Sequence, residues 1–287
     1  MRRTFSLVLL LLAPALADGP KPPDDVRFDD DLVYGKGGDV DLTLDLARPK
    51  EAKGPCRCIL IIHGGGWAAG QKEVHDDMTW EFARRGWVAA SVGYRLAPKH
   101  PFPAQVEDVK CAVRFLRAHA EEYGIDPKKI GAMGFSAGAH LSMMLGVMGK
   151  DDGLEGEGGW ADQSSQVEAV VSFFGPADTL AEDLPDQSKE ILRNWIGGTA
   201  AEMEDAYRKA SPLTYVSPGD APMLLLQGTK DPLVPHTQAY VMVEALTQAG
   251  VSGRVELLIG QGHGWPDPAE IKRSLEVTYA FLEERLR

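Results

Sequence analysis

A serine hydroxyl attacks a carbonyl only when three conditions meet. A base must take its proton, a carboxylate must hold that base in one tautomer, and fixed donors must meet the oxyanion. The 287-residue chain offers residues for each task. Gly134-Phe135-Ser136-Ala137-Gly138 is a G-x-S-x-G lying between an apolar run and a helical one. A nucleophile at such a strand-to-helix turn sits on strained backbone, and the flanking glycines leave room for a close crossing. The helix opening at Ala137 aims its N-terminal N–H groups and positive dipole end at developing negative charge. His63-Gly64-Gly65-Gly66-Trp67 ends an earlier apolar run. Side chains beside oxyanion donors would block the approach of a substrate, whereas glycines leave the backbone N–H groups open. Gly64, Gly65 and Ala137 are therefore the predicted donors.

His263, in Gly262-His263-Gly264-Trp265, follows the last strand-like segment, where a loop could bring it over Ser136. Asp231, in Gly228-Thr229-Lys230-Asp231-Pro232, follows the segment before it. Asp178, in Gly175-Pro176-Ala177-Asp178, is the rival acid, and its other reading is a cap on a turn. The remaining six histidines fall on helices, at helix starts, before the glycine run or between prolines, where a structural role is the ordinary reading. No metal or cofactor is called for by this chemistry.

The elements must bring these segments to one place. Residues 26–34 and 39–48 read as a strand pair, the second alternating Val40, Leu42, Leu44 and Leu46 with polar or small residues. Residues 58–62, 87–92, 130–135, 167–174, 222–227 and 254–259 are short apolar runs of the kind buried on both faces of a sheet. Helical patterns cover 73–85, 104–122, the run from 137, 236–249 and 268–286, with Val106, Val109, Val113 and Leu116 at helical spacing in the second. Strands alternating with helices predict an α/β fold with a mostly parallel sheet and helices on both faces. Asp151 to Gly159, rich in Gly, Asp and Glu, reads as a loop, and 178–212 as a short helix with turns inserted near the top of the sheet.

Composition sets the outer bounds. Hydrophobic residues make up 44% of the chain, enough for a large core, and 42 acidic against 30 basic residues give a net charge of -12. That balance argues against nucleic acid and anionic membrane surfaces as partners. Arg2 and Arg3, the apolar run Phe5 to Leu12 and Ala15-Leu16-Ala17 read as a signal peptide over residues 1–17, the alternative being a first buried element. The run is too short to span a membrane. The expected product is one domain over 18–287, secreted or periplasmic. Cys56, Cys58 and Cys111 permit at most one bridge; core packing is the reading for Cys58 and Cys111, with a Cys111 bridge to either of the others left open.

From 55 to 287 the chain resembles the α/β-hydrolase carboxylesterases that carry a His-Gly-Gly-Gly motif, including acetyl-xylan and feruloyl esterase-like members. Tyr94-Arg95-Leu96-Ala97-Pro98, Phe102-Pro103-Ala104 and Glu107-Asp108-Val109 are similar to the hormone-sensitive-lipase group, and 158–165 to the feruloyl-esterase-like members. The resemblance implies the α/β-hydrolase fold and the chain order Ser, Asp, His, which both acids satisfy; Asp231 is preferred because its strand immediately precedes that of His263. Two departures stand out: Phe135 occupies the position where that group usually has Asp, and residues 18–55 leave no room for its long N-terminal cap. The implied function is a serine carboxylesterase with a fairly open site, acting on short-chain or plant-polysaccharide-linked acetyl or feruloyl esters. Trp67, Trp160 and Trp265, and also Trp195, are candidates to line the substrate surface, core packing being the alternative for each. A kynurenine-formamidase-like amide hydrolase, a prolyl-oligopeptidase-like peptidase and a non-catalytic binding protein on the same scaffold are the competing functions.

Overall fold

The computed structural model describes residues 21–287; the signal-peptide reading over residues 1–17 lies outside them. Eight strands form one sheet in the order β1-β2-β4-β3-β5-β6-β7-β8. β1 (Val26–Gly37), β2 (Val40–Pro49) and β4 (Val88–Val92) pair antiparallel in succession. From β4 onward every pairing is parallel: β3 (Cys56–Ile62), β5 (Ile125–Phe135), β6 (Val170–Phe173), β7 (Met223–Gly228) and β8 (Gly253–Leu258). This is the mostly parallel α/β-hydrolase sheet, and among the described residues there is no large cap domain.

Strand periodicity divides the core into two layers. Along β3, Cys58, Leu60 and Ile62 point to one face, while Ile59 and Ile61 point to the other. The first face packs against α2 (Ala104–Ala118), α4 (Ala137–Val147) and α7 (Thr237–Gln248) through residues such as Val109, Leu141 and Met242. The second is covered by α1 (Asp76–Arg84) and α8 (Pro268–Arg285), with Phe82 and Leu282 among its contacts. Since both faces are covered, the central strands carry apolar runs rather than alternation.

Several elements depart from the sequence reading. The helix expected over 104–122 stops at His119 and resumes as the single turn α3 (Ala120–Tyr123), while β5 starts five residues before the expected 130. The 178–212 segment is more ordered than a short helix with turns: it holds α5 (Asp186–Ile196) and α6 (Glu204–Lys209), followed by a 3-10 turn at Pro212–Tyr215. All three cysteines are free thiols, which closes the bridge left open above. Burial pushes the Cys58 and Cys111 thiols up, Cys111 to about 11, as befits core residues. Among the described residues no helix is long and apolar enough to cross a membrane.

Candidate active site

Ser136 occupies the turn from β5 into α4 with φ 53° and ψ -117°, a region that side-chain-bearing residues avoid. Its N–H donates to the Phe173 carbonyl at 2.9 Å, pinning the turn to the end of β6. A Cβ at Gly134 would fall 2.3 Å from the Gly138 carbonyl carbon, and one at Gly138 would fall 2.1 Å from the Ile62 oxygen. The turn can therefore cross β3 only with glycine at both positions.

β7 and β8 end at the same edge of the sheet and deliver the partners. The Ser136 hydroxyl lies 2.8 Å from Nε2 of His263, whose Nδ1–H donates to Asp231 Oδ2 at 2.8 Å. The Asp231 side chain is wholly buried, and His263 is 19% exposed, open on the side a substrate would approach. The backbone N–H groups of Leu233 and Val234 donate to Asp231 Oδ1 at 2.8 and 2.9 Å. Gln227 Nε2 donates to Oδ2 at 3.0 Å and to the Val234 carbonyl at 2.8 Å, so a buried amide fixes the carboxylate plane. Asp178 stands elsewhere: its Oδ1 accepts the Leu180 N–H at 2.9 Å in a local turn.

The glycine loop is oriented from behind. His63 Nδ1–H donates to the Gly64 carbonyl at 2.7 Å. The Tyr94 hydroxyl donates to the His63 carbonyl at 2.9 Å, with its ring stacked on His63 at 4.2 Å. A trans peptide directs its N–H opposite to its C=O, so holding the Gly64 carbonyl turns the Gly65 N–H the other way. A Cβ at Gly64 would be 3.3 Å from the Ser136 Cβ, which places this loop directly against the serine. Among the described residues the backbone N–H groups of Gly64, Gly65 and Ala137 have no acceptor. Burial pushes the His63 pKa down, keeping the ring neutral as it holds the loop.

Trp67 carries the loop onward at φ 58°, stacked 4.0 Å from Trp195. Its Nε1–H donates to His140 Nδ1 at 3.3 Å, and His140 Nε2–H donates to the Ala210 carbonyl at 2.7 Å. These partners assign the neutral Nε2–H tautomer, and complete burial pushes its pKa down to about 4. Trp67 thus lines the site while clamped to α4.

A cavity of 880 Å³ opens onto Ser136 and His263. Phe135 and Phe174 form an aromatic wall, and α5 roofs the space with Gln187, Glu190, Ile191 and Asn194, one face at helical spacing. Phe135, at the position marked as a departure, stacks on His75 at 4.7 Å. Trp265 backs Phe174 at 5.4 Å and does not itself line the cavity. Trp160 lies apart, its indole N–H on the Tyr34 carbonyl at 2.8 Å and its ring against His119. Trp195 is buried behind Trp67. Sequence reasoning missed the roles of Gln227 and His140, and it placed a short helix within 178–212 without assigning it to the cavity. Only Tyr94, inside the Tyr-Arg-Leu-Ala-Pro run, had carried a signal.

Residues 44–246 match the profile of the BD-FAE family. The chain belongs to the BD-FAE family. It is 30% identical over 257 residues to Esterase LipQ of Mycobacterium tuberculosis, covering 88% of this chain and 61% of that one. The chain spans between 53% and 61% of the length of three such curated relatives. A truncated carbohydrate esterase from gut microbiota superposes with a TM-score of 0.79 at 29% identity, covering 92% of this chain and 98% of that one. The propionate-bound esterase Est2 of Thermogutta terrifontis does so at 0.75 and 29%, covering 92% and 96%. The α/β-hydrolase carboxylesterase resemblance read from the sequence is the one these comparisons bear out.

Proposed function

We propose that this chain hydrolyses carboxylic esters through a covalent acyl-enzyme on Ser136. The observation that carries the reading is the continuous relay Ser136 Oγ–His263 Nε2 and His263 Nδ1–Asp231, 2.8 Å at each link, at the base of a cavity beside unpaired backbone N–H groups. Ser136 attacks the carbonyl carbon while His263 takes its proton. The oxyanion rests on the N–H groups of Gly64, Gly65 and Ala137, and Asp231 holds the imidazolium. The alcohol leaves with the proton returned by His263, and water releases the acid by the same route. This chemistry draws on no metal or cofactor.

The proposed substrates are short-chain esters or acetyl and feruloyl esters on plant polysaccharide. The aromatic wall of Phe135 and Phe174 supports an aryl acyl group alongside acetyl, and the carbohydrate esterase likeness supports a sugar-linked ester. Export directed by residues 1–17 would bring the enzyme to such polymers. Esterase relatives favour ester over formamide or peptide cleavage.

The test is hydrolysis of p-nitrophenyl esters from acetyl to dodecanoyl, with acetylated xylan and methyl ferulate, by wild type and Ser136→Ala. Turnover of short acyl chains should fall by about 10⁴-fold or more in the variant. Equal rates for the two proteins on every ester would sink the reading.

A further inference from the structure

The segment 151–166 takes no part in the cavity above Ser136, yet it is firmly held. Two buried cations of α2, Lys110 and Arg114, both pair with Glu155, at 2.7 and 2.5 Å, and Ser165 donates to the same carboxylate at 2.8 Å. Arg114 Nε also donates to the Gly159 carbonyl, and the Lys36 N–H to that of Gly158, both at 3.1 Å. A Cβ at Gly35 or Gly158 would fall 2.6 or 2.8 Å from Cys111 Sγ, so β1, this segment and α2 are in direct contact. Buried cations are tolerated only when so paired. The result is a rigid mount for Trp160, which stands at φ 59° with its N–H satisfied by Tyr34, yet remains 37% exposed. Backbone strain spent on displaying a large aromatic side chain points to use of that side chain.

Trp160 closes one end of a 300 Å³ hollow that also touches Val33 and Tyr34. Across Lys36 and Gly158 this hollow adjoins another of 500 Å³, whose walls carry Arg95, Glu107 and Glu157. β1 and β4 are both antiparallel to β2 and hence parallel to each other, so the groove climbs from Trp160 towards the carboxyl edge of β4. Arg95 follows β4 there, and β4 lies two strands from β5, about 10 Å from the strand that leads into Ser136. Lys36 and Arg95 face Glu107, Asp108 and Glu157, and Arg95 is held by Asp108 at 2.7 Å, so the walls leave one formal negative charge, which repels a polyanion and exerts no strong pull on a cation. An aromatic face suits the C–H face of a sugar ring. Carboxylate, ammonium and guanidinium groups around it suit pairs of hydroxyls.

We propose that this groove is a second, non-catalytic site that binds a neutral glycan chain. The ligand class rests on the groove's own residues. Taken with the proposed esterase reading, on which only this link depends, the chain held here is the one whose ester reaches Ser136.

The test titrates wild type with xylohexaose, cellohexaose and mannohexaose by calorimetry, beside Trp160→Ala and the double variant Lys36→Met/Glu157→Gln. At least one oligosaccharide should bind wild type, and Trp160→Ala should weaken it about tenfold or more. The double variant changes only exposed side chains and should weaken it severalfold, which keeps the test decisive if Trp160→Ala fails to fold. No binding by wild type, or binding unaltered in the double variant, would overturn the site. Hydrolysis of p-nitrophenyl acetate is read in parallel and should be unchanged in both variants. A failed esterase reading then shows as absent turnover, and a failed glycan site as absent binding.

Discussion

The geometry around Ser136 depends on side chains that do not line the cavity. Gln227 fixes the plane of Asp231, and Tyr94 with His63 turns the Gly64–Gly65 peptide so that its N–H is directed away from the two rings. Removing the Tyr94 hydroxyl leaves the stacked ring in place but frees the His63 carbonyl. Tyr94→Phe should therefore lower kcat about tenfold with KM little changed, because the loosened donors matter most when charge develops on the oxygen. Steady-state kinetics on p-nitrophenyl acetate checks this; a change confined to KM would place Tyr94 in substrate binding instead.

At the scale of elements, the strand-to-helix turn is the least tolerant part of the fold. Gly138 lies where α4 starts across the end of β3, and its missing side chain is replaced by the Ile62 carbonyl. Backbone cannot step aside as a flexible side chain can. Gly138→Ala should destabilise the protein by roughly 3 kcal/mol, within the range for overpacking at a close crossing, and should displace Ser136. Urea unfolding would register a lower midpoint, and activity would fall even where the variant remains folded. α5 is the contrasting element: it shapes the cavity through one face while Trp195 and Ile196 bury another. Its helical pattern was readable, but its place over the nucleophile comes from the packing of Trp195 on Trp67.

For the molecule as a whole, buried titratable groups set the response to acid. Burial lowers His140 from 6.5 to about 4. Burial, with the neighbouring His63 as a lesser cause, lowers His75 to about 4 as well. At these two histidines the unfolded chain binds more protons than the folded one between these values, so they favour unfolding as pH drops from 6.5 to 4. Asp76 opposes them, since burial raises its carboxyl to about 7. His140, fully buried, should contribute roughly 3 kcal/mol of lost stability. Thermal unfolding across this interval should show the decline, and His140→Gln, less stable at neutral pH, should show a shallower one. Equal slopes for the two proteins would remove His140 from the account.

Much of the fold and the candidate site was legible because it rests on local rules. Apolar runs of strand length, helical spacing and glycines where backbones cross are written along the chain, and Ser136, Asp231 and His263 each follow a strand that ends at the same edge of the sheet. Trp160 and Trp265 were a different matter: sequence names an aromatic residue but not its neighbours. The structure sets Trp265 behind Phe174 and carries Trp160 to the flank of β1 and α2. The same holds for Glu155, read as part of a low-complexity loop and found between two buried cations. Secondary structure and the order of the candidate catalytic segments follow from short-range sterics and periodicity, which the sequence alone determines. Which side chains meet across long separations depends on how the layers pack, and only the tertiary structure decided that.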